Sequence, residues 1–255
     1  MMRVIKVGGR PQRDPTLPVA LSAAHRQSPG SMVVVHGGGD DVSMLQRLHG
    51  ATAEFRSGRR VTSSLDLEII RMALSGSANK RLVSALVSAG VPAVGVSGED
   101  ASLLTATALD PATYGYVGAP SAVNVELLRH LLSGGYLPVL SPVSRSADAS
   151  VGPTLNVNGD DAAAAIAIAL DADELLLVSD VSGVLVDGAA VPALTPDDVQ
   201  RLLNDGTAQG GMSAKLQAAL AALAGGVELV RISDIAGIEQ VDRGTVVTRV
   251  RSACA

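Results

Sequence analysis

Short aliphatic runs alternate with helical segments along nearly the whole chain, and this alternation constrains the fold more than any other feature of the sequence. Runs at residues 3–7, 32–35 and 175–178 are rich in Val, Ile and Leu, which is typical of parallel strands that are buried on both faces. Aromatic residues make up only 2% of the chain, so the core must be built from Ala, Val, Leu and Ile packed under Ala-rich helices. The pattern predicts an α/β fold with a mainly parallel sheet.

Weaker signals outline the rest of the chain. Residues 51–62 are polar and predict a hairpin, and Ser64 is the predicted N-cap of a helix that is followed by a second helix over residues 79–89. Residues 142–153 form the most loop-like interior stretch and predict a soft boundary between two lobes. A last strand is predicted over residues 245–250.

Charge and cysteine content exclude several classes of function. The formal net charge of −5 and the pI of about 5.3 argue against nucleic acid or an anionic membrane as a partner. The one cysteine, Cys254, excludes a disulfide framework and a cysteine metal site. The longest strongly apolar stretch, residues 162–170, is far shorter than the ~20 residues that span a bilayer, and the N-terminus lacks the apolar segment of a signal peptide. We therefore expect a cytoplasmic protein with no membrane partner.

Glycines follow three of the predicted strands, in Gly8-Gly9, in Gly37-Gly38-Gly39 and in Ser179-Asp180-Val181-Ser182-Gly183. In open α/β sheets, ligands bind beyond the carboxyl ends of the strands, and glycine lets backbone N–H groups approach an anion closely. Any one of these runs could be an ordinary tight turn, but three together favour a phosphate or carboxylate site. Neither the pattern G-x-x-x-x-G-K-[ST] of a P-loop nor a convincing dinucleotide fingerprint G-x-G-x-x-G is present.

Lysine is scarce, with three lysines against seventeen arginines. Two of the three lie beside glycines, Lys6 just before Gly8-Gly9 and Lys215 just after Gly210-Gly211. An ammonium group is a compact point charge that suits a phosphoryl group in transfer, whereas a guanidinium group suits a planar carboxylate. Chance placement is the alternative, and Lys80 is predicted to be structural or exposed. Lys6 and Lys215 are therefore candidate phosphate-binding residues.

An acid and an arginine are candidates to act with these lysines. Asp160 opens an Ala-rich helix, where it could be only a helix N-terminal acid or could hold both lysine side chains, with Asn156 bound to a substrate. Arg60 lies at the predicted hairpin and could clamp a carboxylate. Arg59 beside it leaves that choice open, and both could instead be a solvated hairpin edge. His36 is predicted to be a core-edge histidine without a catalytic role.

Taken together, these residues resemble a known family. The sequence is similar to the amino-acid kinase family, and within it to the acetylglutamate kinase branch, along its entire length and in the right order. One departure is Gly159, where the family usually has Ala. The motifs that carry the resemblance are Lys6-x-Gly8-Gly9, His36-Gly37-Gly38-Gly39, Gly58-Arg59-Arg60-Val61-Thr62, Ser75-Gly76-Ser77-Ala78-Asn79-Lys80, Gly134-Gly135-Tyr136-Leu137-Pro138-Val139, Asn156-x-Asn158-Gly159-Asp160, Ser179-Asp180-Val181-Ser182-Gly183, Gly210-Gly211-Met212-x-x-Lys215 and Gly244-Thr245.

The resemblance implies a three-layer αβα sandwich with a central, mainly parallel sheet and two lobes within one domain over residues 1–255. The N-terminal lobe, approximately residues 1–172, is expected to bind the acyl amino acid and to form a homodimer. The C-terminal lobe, residues 173–255, is expected to bind ATP. Members that are inhibited by arginine carry an extra N-terminal helix, so the short N-terminus leads us to expect an arginine-insensitive dimer.

The activity that the resemblance implies is ATP-dependent phosphorylation of the side-chain carboxylate of N-acetyl-L-glutamate, the second step of arginine biosynthesis. ATP would carry Mg²⁺ through its phosphates. By motif match, Lys6 and Lys215 would stabilise the transition state and Asp160 would orient both lysines. The implied substrate-binding residues are Gly38, Gly39, Arg60 and Asn156, and the implied nucleotide-binding residues are Gly9, Asp180, Val181, Ser182, Gly183, Val184, Leu185, Thr207, Ala208 and Gln209.

Residue chemistry agrees with that implication. A carboxylate nucleophile is already ionised at neutral pH, so the reaction needs alignment and charge cancellation rather than a general base. One alternative is a related kinase for a carrier-bound aminoadipate or glutamate, or for another N-acylglutamate, although the acidic pI speaks against an acidic carrier protein. A second alternative is a non-catalytic nucleotide or amino-acid sensor of the same fold, against which the presence of both lysines and Asp160 speaks.

Overall fold

A computed structural model of the chain describes residues 1–56 and 58–248. A last strand was predicted over residues 245–250, and the structure has one over Thr245–Val247. Residues 249 and 250 and Cys254 lie outside the described residues. Within the described ranges the strands are β1 (Arg3–Val7), β2 (Met32–His36), β3 (Phe55–Arg56), β4 (Arg59–Arg60), β5 (Ala93–Gly98), β6 (Leu104–Ala108), β7 (Val117–Val123), β8 (Leu137–Ser146), β9 (Thr154–Val157), β10 (Glu174–Val178), β11 (Leu185–Val186), β12 (Ala189–Ala190), β13 (Ala193–Leu194), β14 (Leu229–Ser233) and β15 (Thr245–Val247).

Helices connect most of the long strands. A π-helical turn over Met72–Ala78 joins the third helix to the fourth, so the two helices predicted in this region form one continuous helical run. In the described part of the chain, no helix combines the length and apolarity needed to cross a membrane. The α-helices are α1 (Thr16–Gln27), α2 (Gly39–Leu48), α3 (Ser64–Arg71), α4 (Asn79–Ser88), α5 (Pro111–Tyr114), α6 (Val125–Ser133), α7 (Gly159–Ala169), α8 (Pro196–Asn204) and α9 (Gly210–Ala224).

Eleven strands join one sheet, in the order β13-β15-β14-β10-β1-β2-β8-β6-β7-β9, with β5 paired to β8. Within the central row β14, β10, β1, β2 and β8, each strand is parallel to the next one. Antiparallel pairs occur towards the edges, where β15 meets β14, β7 meets β6 and β9 meets β8. The prediction of a mainly parallel sheet is therefore confirmed, and the predicted hairpin is present as the pair β3–β4.

The core lies on both faces of this sheet. Val4 packs in a cluster with the Ala-rich helices α7 and α9, whereas Ile5 and Val7 pack in a second cluster with side chains of α1 and α4. Helices thus cover both faces, which confirms the predicted three-layer αβα sandwich. Because side chains alternate along a strand, Lys6 lies on the same face as Val4, the face that α7 covers. Lys6 is therefore directed towards α7.

Two local predictions are wrong. The N-cap of α3 is Ser63 rather than Ser64, because the Ser63 hydroxyl accepts from the Asp66 N–H while the Asp66 carboxylate accepts from the Ser63 N–H. Residues 142–153 are not a loop throughout, since β8 continues through Pro142 to Ser146. A shift in the pairing of β8 with β5 beyond Ser97 accommodates the proline in the strand. The lobe boundary near residue 172 stays a prediction.

Candidate active site

Two adjoining cavities open at the carboxyl ends of the central strands, where the glycines that follow β1 and β2 meet the N-termini of α2, α7 and α9. The first cavity, of about 500 Å³, is lined by the glycine turn 37–39. The second cavity, of about 510 Å³, is lined by Gly8-Gly9 and by α9. Lys6, Gly9 and Asp160 line both cavities, so they lie where a ligand in one would meet a ligand in the other.

Asp160 holds both candidate ammonium groups. Its Oδ1 lies 2.9 Å from Lys6 Nζ and 3.2 Å from Lys215 Nζ, and its Oδ2 lies 3.5 Å from Lys215 Nζ. The N-cap of α7 fixes the acid, because the Asn158 side chain accepts from the Asp160 N–H at 2.8 Å. The three residues are only 5–7% exposed. The structure thus brings together three residues that are far apart in the sequence, in one buried cluster.

Burial and mutual charge set the protonation of this cluster. Burial opposes ionisation of Asp160, but the charges of Lys6 and Lys215 outweigh it and hold the pKa of the Asp160 carboxyl below its usual value. Burial, together with the Lys6 charge, lowers the pKa of Lys215 to about 8, while Asp160 acts in the opposite direction. One carboxylate between two ammonium groups leaves a net positive charge, which favours an anion at the junction of the cavities.

The glycine turn after β2 is held in one conformation over the first cavity. Gly38 has a φ of +151°, a backbone conformation that residues with a Cβ rarely adopt, so glycine is favoured at this turn. Buried His36 supports the turn, because Nδ1 lies 2.8 Å from the Gly37 carbonyl oxygen and Nε2 lies 3.1 Å from Asn79 Nδ2. Burial lowers the pKa of His36 to about 4, so its neutral ring donates to Gly37 and accepts from Asn79. His36 is therefore a structural support for the turn.

Arg60 lines the first cavity and is hydrogen-bonded to α2. Its guanidinium group donates to Gln46 Oε1, to Ser43 Oγ at 3.0 Å and to the Gly39 carbonyl at 3.2 Å. The Phe55 ring centre lies 4.7 Å from the guanidinium carbon, a cation–π contact. These contacts hold the planar guanidinium group at the cavity wall. Because Nη2 already donates to two acceptors, a carboxylate that binds Arg60 bidentately takes the place of at least one of them.

Asn156 lines the same cavity from β9. Its amide donates to Thr62 Oγ1 at 3.0 Å, and that hydroxyl donates to the Arg60 carbonyl at 2.9 Å. The structure thus brings all four predicted substrate-side residues around one cavity, namely Gly38, Gly39, Arg60 and Asn156.

Only part of the predicted nucleotide-binding run lines the second cavity. Asp180 and Val181 do so, and Asp180 Oδ2 lies 2.7 Å from Nη1 of Arg10, which also lines the cavity. Further along the run, Val184 is a core residue and Leu185 is exposed on β11. The structure therefore places the first two residues of the run at the cavity and residues 182–185 away from its lining.

The second predicted nucleotide segment, residues 207–209, lies elsewhere. Ala208 and Gln209 line a third cavity of about 330 Å³, and Thr207 is exposed. Helix α9 presents Lys215 to the second cavity and Ser213 to the third, so the two cavities lie on different faces of that helix.

A metal ion at this site would be bound mainly by the atoms of a ligand and not by a cluster of protein side chains. Across residues 1–56 and 58–248, no group of three or more His, Cys, Asp or Glu could hold one. The carboxylates of the second cavity, Asp160 and Asp180, are already paired with lysine and arginine side chains. A divalent cation fits this cavity as a companion of ligand phosphates.

Sequence reasoning missed several side chains around the site. Ser43 and Gln46 hold Arg60 and lie three residues apart on α2, so helical spacing was the signal that could have found them. Arg59 Nη1 lies 2.7 Å from Asp161 Oδ2, and the alternation of side chains along a strand was the signal that separates Arg59 from Arg60.

Comparisons with known proteins identify the family. The profile of the amino acid kinase family matches residues 1–234. An acetylglutamate kinase from Chloroflexus aurantiacus is 46% identical over 244 residues, 95% of this chain and 94% of that protein. One from Geobacillus stearothermophilus is 42% identical over 231 residues, 90% of this chain and 88% of that protein. The crystal structure of smu.665 from Streptococcus mutans UA159 is 30% identical, with a TM-score of 0.87 over 98% of this chain and 99% of that one. This chain therefore belongs to the amino acid kinase family.

Proposed function

We propose that the enzyme transfers the γ-phosphoryl group of ATP to the side-chain carboxylate of N-acetyl-L-glutamate, giving N-acetyl-L-glutamyl 5-phosphate and ADP in arginine biosynthesis. Relatives at 46% and 42% identity are acetylglutamate kinases. The structural observation that carries the proposal is the buried cluster of Lys6, Asp160 and Lys215 at the junction of two cavities. Phosphoryl transfer from one anion to another needs such a positive centre between the two binding sites, because it offsets the negative charge of both reactants.

The first cavity suits the acyl amino acid. Arg60 offers a planar pair of donors to one carboxylate of the substrate, and Asn156 offers an amide. The backbone N–H groups of Gly38 and Gly39 are available for a further anionic or carbonyl oxygen. With one carboxylate held at Arg60, the other is directed towards Lys6 at the junction.

The second cavity suits the triphosphate of ATP. Gly9, Lys6 and Lys215 line it and supply a backbone N–H group and two ammonium groups for phosphate oxygens. Mg²⁺ held through the phosphates would neutralise part of their charge. Binding of the rest of the nucleotide by residues 180–185 and 207–209 stays a prediction.

Transfer itself needs no general base. The substrate carboxylate oxygen attacks the γ-phosphorus, the bond from that phosphorus to the β,γ-bridging oxygen breaks, and ADP leaves with the electron pair of that bond. Lys6 and Lys215 stabilise the negative charge on the transferred group, and Asp160 holds both lysines in place. No proton moves, which agrees with a site whose histidine, His36, is buried and neutral.

Hydroxylamine trapping tests this function directly. With ATP, Mg²⁺ and N-acetylglutamate, the enzyme should form the hydroxamate, because an acyl phosphate reacts with hydroxylamine and a free carboxylate does not. Free glutamate and N-succinylglutamate, assayed in the same way, test the choice of acyl group. No hydroxamate from N-acetylglutamate would contradict the proposal.

Replacing Arg60 with lysine should weaken binding of the acyl amino acid. The Arg60→Lys variant loses the planar donor pair and its bonds to Ser43 and Gln46, so KM for acetylglutamate should rise by about 10–100-fold. KM for ATP should change far less. Steady-state kinetics measure both values, with Arg56→Lys, an exposed arginine on the neighbouring strand, as the control. An equal rise in the two KM values would show that Arg60 does not act on the acyl amino acid.

The pH dependence should report Lys215. The free enzyme governs kcat/KM for ATP, and the pKa of Lys215 is lowered to about 8, chiefly by burial. The side chain is charged below that pH, so kcat/KM should be constant there and fall about tenfold per unit above pH 8. At saturating ATP the phosphates raise this pKa, so kcat should fall only at higher pH. A constant kcat/KM up to about pH 10 would contradict the role of Lys215.

We also propose that two copies of the chain form a homodimer. In support, the continuous run of α3 and α4 exposes three large apolar side chains, Leu65, Met72 and Val87, at 52%, 49% and 53%. Light scattering measures the mass in solution, and the mass of a single chain would contradict the dimer.

A further inference from the structure

The β3–β4 hairpin forms one wall of the first cavity, and its two adjacent arginines have different partners. Gly58, Arg59 and Arg60 line that cavity together with Phe55. Neighbouring residues of a strand project to opposite sides. Arg60 accordingly bonds to α2, whereas Arg59 Nη1 lies 2.7 Å from Asp161 Oδ2. The hairpin is thus attached to two different helices by two consecutive side chains.

Asp161 connects the hairpin to the helix that carries the acid of the lysine cluster. It follows Asp160 directly in the first turn of α7. The side chains of Arg59 and Asp161 are only 26% and 20% exposed, so solvent ions screen this pair less than a pair on the open surface. A movement of the hairpin away from α7 would have to break this pair.

Few other side chains attach the hairpin to the protein. Its strands are two residues long, and Arg56 pairs with Glu54 inside the hairpin at 2.9 Å. Arg56 reaches outside only to the Thr113 carbonyl, at 3.4 Å. Among the described residues 54–56 and 58–60, the short side-chain attachments to other elements are those of Arg59 and Arg60. When a substrate carboxylate takes donors of Arg60 away from α2, the Arg59–Asp161 pair still joins a side chain of β4 to α7, next to the bond of the Thr62 hydroxyl to the Arg60 carbonyl.

The Arg59–Asp161 pair also lies between two cavities. Gly58, Arg59 and Asn158 line both the first cavity and the third cavity of about 330 Å³, which Asp161 lines as well. Breaking the pair would therefore remove a contact from the wall that separates these two spaces.

We propose that Arg59 and Asp161 form a latch that keeps the β3–β4 hairpin closed over the acyl amino acid, which makes Arg59 a positioning residue for Arg60. The latch as a substrate-positioning device rests on the function proposed above. The two adjacent arginines then have separate roles: Arg60 binds a carboxylate of the substrate, and Arg59 holds the strand from which Arg60 projects.

A double-mutant cycle tests the latch. Arg59→Leu and Asp161→Asn should each raise KM for acetylglutamate about tenfold and leave KM for ATP within about twofold. The double variant should be no worse than either single variant, because all three lack the same interaction. Arg56→Leu, which removes an arginine paired within the hairpin, is the matched control and should leave both KM values unchanged. Single effects that multiply in the double variant, or equal changes in the two KM values, would overturn the latch.

Hydrogen exchange without substrate separates the latch from the function. The backbone amides of residues 58–61 should exchange about tenfold faster in Arg59→Leu than in the unsubstituted protein, while those of β1 and α7 keep their rates. Unchanged exchange at residues 58–61 would overturn the latch whatever the substrate is. A failure of the unsubstituted enzyme to form the hydroxamate would overturn the proposed function alone, since the exchange result still decides whether the latch exists.

Discussion

Replacing Asp160 with asparagine is expected to lower kcat about a thousandfold with the fold retained. Asparagine has the shape of aspartate without its charge, so Lys6 and Lys215, which lie 2.9 and 3.2 Å from Asp160 Oδ1, would face each other without a counter-ion. Their repulsion would move them from the positions where they meet the phosphoryl group. Asp160 also opposes the fall in the pKa of Lys215, so its loss should bring that pKa below 8 and move the alkaline limit of activity to lower pH.

The hydroxamate assay measures this loss, and circular dichroism measures the fold. Asp148→Asn is the control, because that exposed carboxylate bonds only within its own turn, to the Ser150 N–H at 2.8 Å, and kcat should not change. Lys215→Arg is a companion variant that keeps the positive charge but replaces a point charge with a larger planar group, and it should lower kcat about a hundredfold. A kcat within about tenfold of the unsubstituted enzyme in Asp160→Asn would show that the acid does not organise the lysines.

Replacing Arg231 with methionine is expected to lower the free energy of unfolding by about 3–5 kcal/mol. The Arg231 side chain is 1% exposed and its Nε donates to Glu174 Oε1 at 2.6 Å. Its other nitrogens donate to the carbonyls of Gly237, Gln240 and Arg243 at 2.9–3.1 Å, so one guanidinium group supports the turn that follows β14. Methionine fills similar space but leaves these buried carbonyls without their donor.

Urea unfolding followed by circular dichroism measures this change. Arg243→Met is the matched control, because Arg243 lies in the same turn and pairs with Asp234 at the surface, where its side chain is 41% exposed. We expect that variant to lose less than about 1 kcal/mol. Equal losses in the two variants would mean that the buried hydrogen bonds of Arg231 do not stabilise the turn.

Prediction from sequence worked best where one residue pattern had one physical explanation. The ranges 3–7 and 175–178 match β1 and β10 almost residue for residue, because runs of Val, Ile and Leu of that length fit a buried parallel strand and little else. The strands β6 and β7 were not predicted, since their Ala, Thr, Gly and Pro residues give no strong aliphatic signal. The extension of β8 through Pro142 was missed for a similar reason, because proline is ordinarily a sign of a strand end.

The candidate site divides in the same way. Glycine context and the scarcity of lysine were enough to single out Lys6 and Lys215. The choice between Arg59 and Arg60 was open in the sequence, because both have the same chemistry and adjacent positions. The structure separates them by their partners, α2 for Arg60 and Asp161 for Arg59. The segments 182–185 and 207–209 matched a motif, but a motif match does not state which cavity a residue lines.

By itself, the sequence determined the α/β class, the strands of the sheet centre and the residue types suited to an anionic ligand, since these depend on short-range patterns of hydrophobicity, glycine and charge. Only the tertiary structure decided that Lys6 from β1 and Lys215 from α9 meet on the first turn of α7, and that Arg231 is buried under a turn. The physical reason is that the order of strands in the sheet and the packing of helices on its faces set distances between residues remote in the chain, and no local pattern encodes them.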